Sequence, residues 1–184
     1  MTGTNEWFGG SWMGGEPEAC YGCGALVPRS EKGTTHEYIG ASPGCWSVYG
    51  KVLEREYADY ERYFDIHRLT VDAYAAQHPG EPSRRATQSV AVHLIRLHLM
   101  LELGLPPERA NAGMQRVSSK GGFVWLEPPE SPGWITVLHV REARDPAEHE
   151  ARVREWAGSV WEAWSGHHEA IRRWAAVAFR AWGI

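Results

Sequence analysis

The sequence predicts a mainly α, single-domain helical bundle with a clamped N-terminal loop and a small irregular β/loop insertion. Three observations carry that reading. Beyond residue 45, apolar residues recur at three- and four-residue steps, the spacing that gathers them on one helix face. Pro and Gly stand where those runs stop, as at Pro79 and Gly80 and again at Gly104. A chain of 184 residues, 43% of them apolar, is long enough to bury one core unaided.

Residues 1–18 are Gly-rich and polar without periodicity, so they read as a flexible tail ahead of one domain at 19–184. From 19 to 45 the chain carries all three cysteines among Gly and Pro, a loop segment that needs a clamp. Helices fill 46–117. Trp46, Tyr49, Val52, Leu53, Tyr57 and Tyr60 put an aromatic face on a first helix ending near Arg62. Ile66, Leu69, Ala73 and Ala76 mark a second, from about Phe64 to His78. The run ATQSVAVHLIRLHLMLELG is apolar almost all round, as expected of a helix at the centre of a bundle. Pro106 and Pro107 then open a short fourth helix to about Val117. Residues 118–145 hold two β-prone runs around a Pro and Gly loop, read as an irregular hairpin, with Thr136 the alternative cap of a short helix. The last segment, 146–183, is helical and Trp-rich, with Val153, Trp156, Val160, Trp164, Ile171, Trp174, Ala178 and Trp182 on one stripe broken at Ser165 and Gly166.

Nineteen basic residues face twenty-three acidic ones for a net charge of −4, and they are scattered, so the footprint of a nucleic-acid binder is missing. No run approaches the ~18 apolar residues of a membrane span. The opening MTGTNEWFGGSWMGGEPE lacks the regions of a signal peptide, so the expectation is a cytoplasmic protein without a membrane partner.

Cys20 and Cys23 form C-x-x-C-G, the spacing that lets two thiolates reach one tetrahedral metal, and Cys45 supplies a third sulfur just before the first helix. An odd count disfavours a disulfide framework. A redox C-x-x-C belongs between a strand and a helix, and nothing strand-like precedes Cys20 in the sequence. The reading is therefore structural Zn2+ with a histidine as fourth ligand. If a short link makes the first two helices antiparallel, His78 at the end of the second returns beside Cys45, whereas His67 lies ~16 Å away along the helix. His78 is preferred because it ties the loop to the helices; His36 is the rival, inside a local Cys3His knuckle.

Ten tryptophans and nine histidines are compositional excesses. Both types serve where an apolar surface must offer a polar edge, in a pocket or between packed helices. His67, Thr70, Tyr74, Gln77 and His78 share one side of the second helix, and His93 and His98 interrupt the apolar run of the third. One reading is a Trp-lined pocket for a small molecule, with His67, Tyr74 and His93 as acid/base residues. The other is a buried hydrogen-bond network holding helices in register. Asp72 lies about 140° around the helix from His67, too far for a direct dyad. A non-catalytic module, docking a protein partner or a second copy through the Trp-rich C-terminal helices, is the alternative function. No G-x-G-x-x-G, P-loop or G-x-S-x-G occurs.

The segments CYGCG, ASPGCWSVYG, HRLTVDAYAAQHPG, SVAVHLIRLHLMLE and WAGSVWEAWSGHHEAIRRW together resemble a bacterial family, common in actinobacteria, known only as a domain of unknown function. The resemblance spans roughly residues 20 to 175. It implies that Cys20, Cys23, Cys45 and His78 form one motif set, and that His67, Asp72, Tyr74, Gln77, His93 and His168 match the family's polar positions. It implies no activity.

Overall fold

The computed structural model describes residues 16–30, 35–120 and 122–180. Most of the predicted tail and Trp182 lie outside the described residues. The first ordered element is a hairpin of β1 (Pro17–Ala19) and β2 (Leu26–Pro28), antiparallel, with Glu18 opposite Val27. Its turn is the C-x-x-C-G segment. Gly24 adopts φ 73°, a left-handed conformation that a side chain would strain, and Cys20 N–H donates to Ala25 O at 2.8 Å. A strand therefore does precede Cys20, contrary to the sequence reading. It pairs back on the strand after the knuckle instead of feeding a helix, so the redox setting is not formed.

Helix α1 (Pro43–Ala58) starts where Ser42 accepts a hydrogen bond from Cys45 N–H at 3.3 Å and Pro43 supplies a pre-set φ. Asp59 takes φ −140° and ψ 63°, ends α1 and begins α2 (Tyr60–Gln77), three residues before the expected break. A one-residue link leaves the two helices packed against each other. Helix α3 (Arg84–Leu97), capped by Ser83, runs into a π-helical turn at His98–Glu102, and Gly104 at φ 62° closes it before α4 (Pro107–Lys120).

The hairpin expected within 118–145 is absent among the described residues. Pro128, Pro129 and Pro132 remove ladder donors, and the segment instead ends in a short helix, α5 (Val137–Arg141), capped by Thr136. Arg55 of α1 holds its far end by donating to Ala143 O at 3.1 Å and Arg141 O at 3.2 Å. Helix α6 (Pro146–Ala163) begins at the Asp145 cap, and a 3-10 turn at Ser165–His167 separates it from α7 (His168–Arg180).

The centre of the bundle is α2, which packs on α1, α3 and α6. Helix α3, expected there, leaves Gln88 exposed and Val92 and His93 half-buried. The periodicity misled because α2 buries polar residues: His67, Thr70, Asp72 and Gln77 are all enclosed. Trp156, Trp161 and Trp164, in and just after α6, fill the core, and each indole N–H finds an acceptor within the protein. Trp156 donates to Gln77 Oε1 at 2.9 Å, Trp164 to Ala76 O at 3.1 Å, and Trp161 to Glu102 Oε1 at 3.2 Å. Gln77 in turn donates to Pro132 O and Ile135 O, fastening the 118–145 segment to the end of α2. No helix among the described residues is long and apolar enough to cross a membrane.

Candidate metal centre

Three elements bring four ligand atoms together. The knuckle turn presents Cys20 and Cys23, the first turn of α1 presents Cys45, and His78 caps α2, having returned along the antiparallel pair. Their Sγ and Nε2 or Nδ1 atoms all lie within 4.8 Å of one another, and all four residues are buried. Two separations test whether a metal fits. A tetrahedral ion with ~2.3 Å bonds to sulfur and ~2.0 Å to nitrogen spaces S···S by roughly 3.8 Å and S···N by roughly 3.5 Å. Cys23 Sγ and Cys45 Sγ are 3.9 Å apart, and Cys45 Sγ and His78 Nε2 are 3.5 Å apart. The donor set fits a Cys3His centre.

The surroundings orient the ligands. His78 Nδ1 is 2.7 Å from Tyr74 O, so it donates there and leaves the Nε2 lone pair facing the sulfurs. Ser42 N–H donates to Cys20 Sγ at 3.4 Å, and Tyr74 OH donates to Cys45 Sγ at 3.7 Å, bonds that would offset the negative charge of three thiolates around a bound dication. The free donors compete for protons. Hydrogen bonds from Cys23 and Cys45 pull Cys20 far below the ordinary thiol range, while bonds to Cys20 and Cys23 push Cys45 up. Burial lowers the His78 imidazole, but the Cys20 and Cys23 sulfurs more than offset it and raise it to about 9. A bound dication would relieve this crowding of sulfur.

Two glycines let the knuckle approach. A Cβ on Gly22 would overlap the Gly40 carbonyl oxygen and stand 2.7 Å from His78 Cδ2. One on Gly40 would overlap Pro79 O, across the bridge that joins Ile39 to Pro79. Gly22→Ala is expected to push the knuckle off His78 and cost about 1–3 kcal/mol. Thermal unfolding with metal titration checks this, and unchanged melting and metal affinity would show that the approach is dispensable.

The remaining sequence candidates separate. His36 stacks edge-on against Tyr38 and stands outside the ligand cluster. His67 Nδ1 meets Glu56 Oε2 at 2.7 Å, in a buried network where Thr70 donates to Glu56 Oε1 and His149 Nε2 lies 2.9 Å from the same oxygen. Tyr74 stacks on Tyr49 and serves Cys45. His93 Nδ1 lies 2.7 Å from Asp72 Oδ1 on the opposite side of α2. His67, Tyr74 and His93 are thus bound into three different networks. His98 pairs with Glu102, while His167 and His168 each bond a backbone carbonyl. Glu56, His149 and Arg96 were missed. A signal existed, since Glu56 continues the stripe Cys45, Tyr49, Val52, and His149 heads the stripe Val153, Trp156, Val160: a charged or polar residue in register with a core face.

The fold and the site together define a mainly helical protein with a candidate Cys3His metal centre. A family model described as a family of unknown function, DUF5946, matches residues 18–165, and the chain belongs to that family. No curated protein and no solved structure matches it.

Proposed function

We propose that Cys20, Cys23, Cys45 and His78 hold one zinc ion as a closed structural centre, and that the chain binds and transforms a small molecule by acid/base chemistry elsewhere. The observation that carries the first part is the pair of separations above, which suit tetrahedral zinc, together with a histidine whose second nitrogen is already committed. Four protein ligands leave no open coordination position, so substrate does not reach the metal. The ion's work is to hold the knuckle and the segment around Gly40 against the ends of α1 and α2, where Gly40 N–H donates to His78 O at 2.9 Å. An interaction module is the competing reading. The burial of Trp156, Trp161 and Trp164 favours the first, because these indoles are packed into the core and are not free to form a docking face.

Elemental analysis of the purified protein is expected to find about one zinc per chain, with thiols that titrate only after chelation and helicity that falls with them. No metal and three freely titrating thiols would end the zinc reading. The zinc-loaded protein, melted in the presence of fragment-sized alcohols, amides and hydroxy acids, is expected to gain stability with at least one class. No shift with any class would end the small-molecule reading.

A further inference from the structure

The imidazole of His93, half-buried on α3, borders an open groove. That groove, of about 610 Å³, is lined by His36, Tyr38, Arg85, Ser89, His93 and Met114 among others, so it lies between α3, α4 and the segment that the metal centre fastens. Its size falls in the range of small-ligand sites. Behind the ring stands Asp72, wholly buried, its carboxylate gripped by Arg96 Nε at 2.8 and 2.9 Å and by the same guanidinium's second nitrogen. Arg96 also comes within 2.8 Å of His93 Nδ1. A bare Nδ1 would set its lone pair 2.7 Å from a carboxylate oxygen, and Arg96 already spends its N–H groups on that carboxylate, so Nδ1 carries the proton and donates it to Asp72. That choice fixes the tautomer and leaves Nε2 with its lone pair.

The charges agree. Burial pushes Asp72 up, but Arg96 and His93 more than offset it and hold the carboxyl below its ordinary value. Burial holds His93 below the usual imidazole value despite Asp72, with Arg96 and Arg68 acting in the same direction. His36, Glu37, Tyr38 and Arg85 are the titratable groups that line the groove with it, and Arg85 and Glu37 pair with each other at 2.8 Å. A second observation points the same way. Ser89, one helical turn before His93, lines the same groove, is 9% exposed, and has no hydrogen-bond partner among the described residues. That hydroxyl takes its partner from the groove, as water or as a ligand group, because no protein group among the described residues supplies one.

We propose that the groove is a small-molecule site in which His93, positioned by Asp72 and Arg96, accepts a hydrogen bond at Nε2 from a hydroxyl or amide N–H of the ligand, while the Ser89 hydroxyl donates to a neighbouring ligand oxygen. The ligand class is a small molecule carrying such a donor beside a carbonyl or carboxylate oxygen. His93 is then the base that takes the donor's proton onto Nε2, and Asp72 and Arg96 are positioning residues. This inference rests on the small-molecule reading and says where that site is. A second groove, of about 880 Å³, shares His36, Tyr38 and Arg85 and extends to Gly22 and Pro79, so the metal centre shapes one wall.

The test uses the zinc-loaded full chain and the same panel of fragment-sized alcohols, amides and hydroxy acids. Whichever fragment stabilises the wild type is titrated against His93→Gln and Ser89→Ala, with zinc content and unfolding confirming that both variants fold. Gln retains an N–H for Asp72, and Ser89→Ala removes a group with no internal partner, so both are expected to stay folded. The expected result is at least about tenfold weaker binding by His93→Gln and a smaller loss with Ser89→Ala, the scale of one buried hydrogen bond. Binding is also expected to perturb the His93 Nε2 nitrogen resonance. A fragment that binds the wild type and both variants equally overturns the groove assignment and leaves the small-molecule reading standing; a panel in which nothing binds the wild type overturns both.

Discussion

Cys45→Ser is expected to purify without stoichiometric metal and with most of its cooperative unfolding gone. The residue is wholly buried, sits in the first turn of α1, and faces a second sulfur at 3.9 Å and the His78 nitrogen at 3.5 Å. A serine hydroxyl stays neutral near pH 7 and is a poor zinc ligand, so three donors remain where four closed the site. Structural zinc sites supply about 10–16 kcal/mol, as much as the whole stability of about 5–15 kcal/mol typical of a domain. The loss should also be felt locally, because the same contact fastens the β1 and β2 hairpin and the groove wall to the helices. Metal analysis with circular dichroism across a thermal ramp measures both effects. A variant that keeps one zinc and its melting temperature would remove Cys45 from the ligand set.

Glu56→Ala should be the most damaging change away from the metal, costing about 3–5 kcal/mol. The carboxylate is wholly buried and joins three helices, meeting His67 and Thr70 of α2 and His149 of α6 from its place on α1. Alanine leaves those partners without an acceptor in a dry core. Acid should produce part of the same loss. Burial alone pushes Glu56 up, but hydrogen bonds from His149, His67 and Thr70 more than offset it, and the carboxyl is held below its ordinary 4.5. A group depressed in the folded state contributes stability that is complete above its unfolded value and is lost as pH falls through its folded one. Stability should therefore decline as pH drops below about 4.5, and Glu56→Gln should flatten that part of the curve. Chemical denaturation at several pH values checks this; an unchanged slope in the variant would mean that the network carries no charge linkage.

The metal cluster and the Asp72 network show why parts of the site were legible and parts were not. The cysteine spacing and the lengths of two helices favoured His78 over its rival His36, because a helix converts residue number into distance and a short link turns the pair back on itself. Asp72 illustrates the opposite case. The angle around α2 shows that it cannot meet His67, but nothing in the sequence says that α3 will bring His93 and Arg96 to its other side. The 118–145 segment failed for a related reason. Its β-prone residues are real, yet its prolines and the Thr136 cap matter more once the segment is fastened by Gln77 and Arg55, both distant in sequence.

By itself the sequence determined the helical class, the Trp-filled stripes and the ligand types of the metal centre, since periodicity, side-chain chemistry and spacing along a helix are local properties. Only the tertiary structure decided which histidine faces which partner. Four of them sit against carboxylates or sulfur contributed by residues eleven to ninety-three positions away, as with His67 and His149 on Glu56. A buried polar group must take the partner that packing delivers, and that choice belongs to the assembled helices.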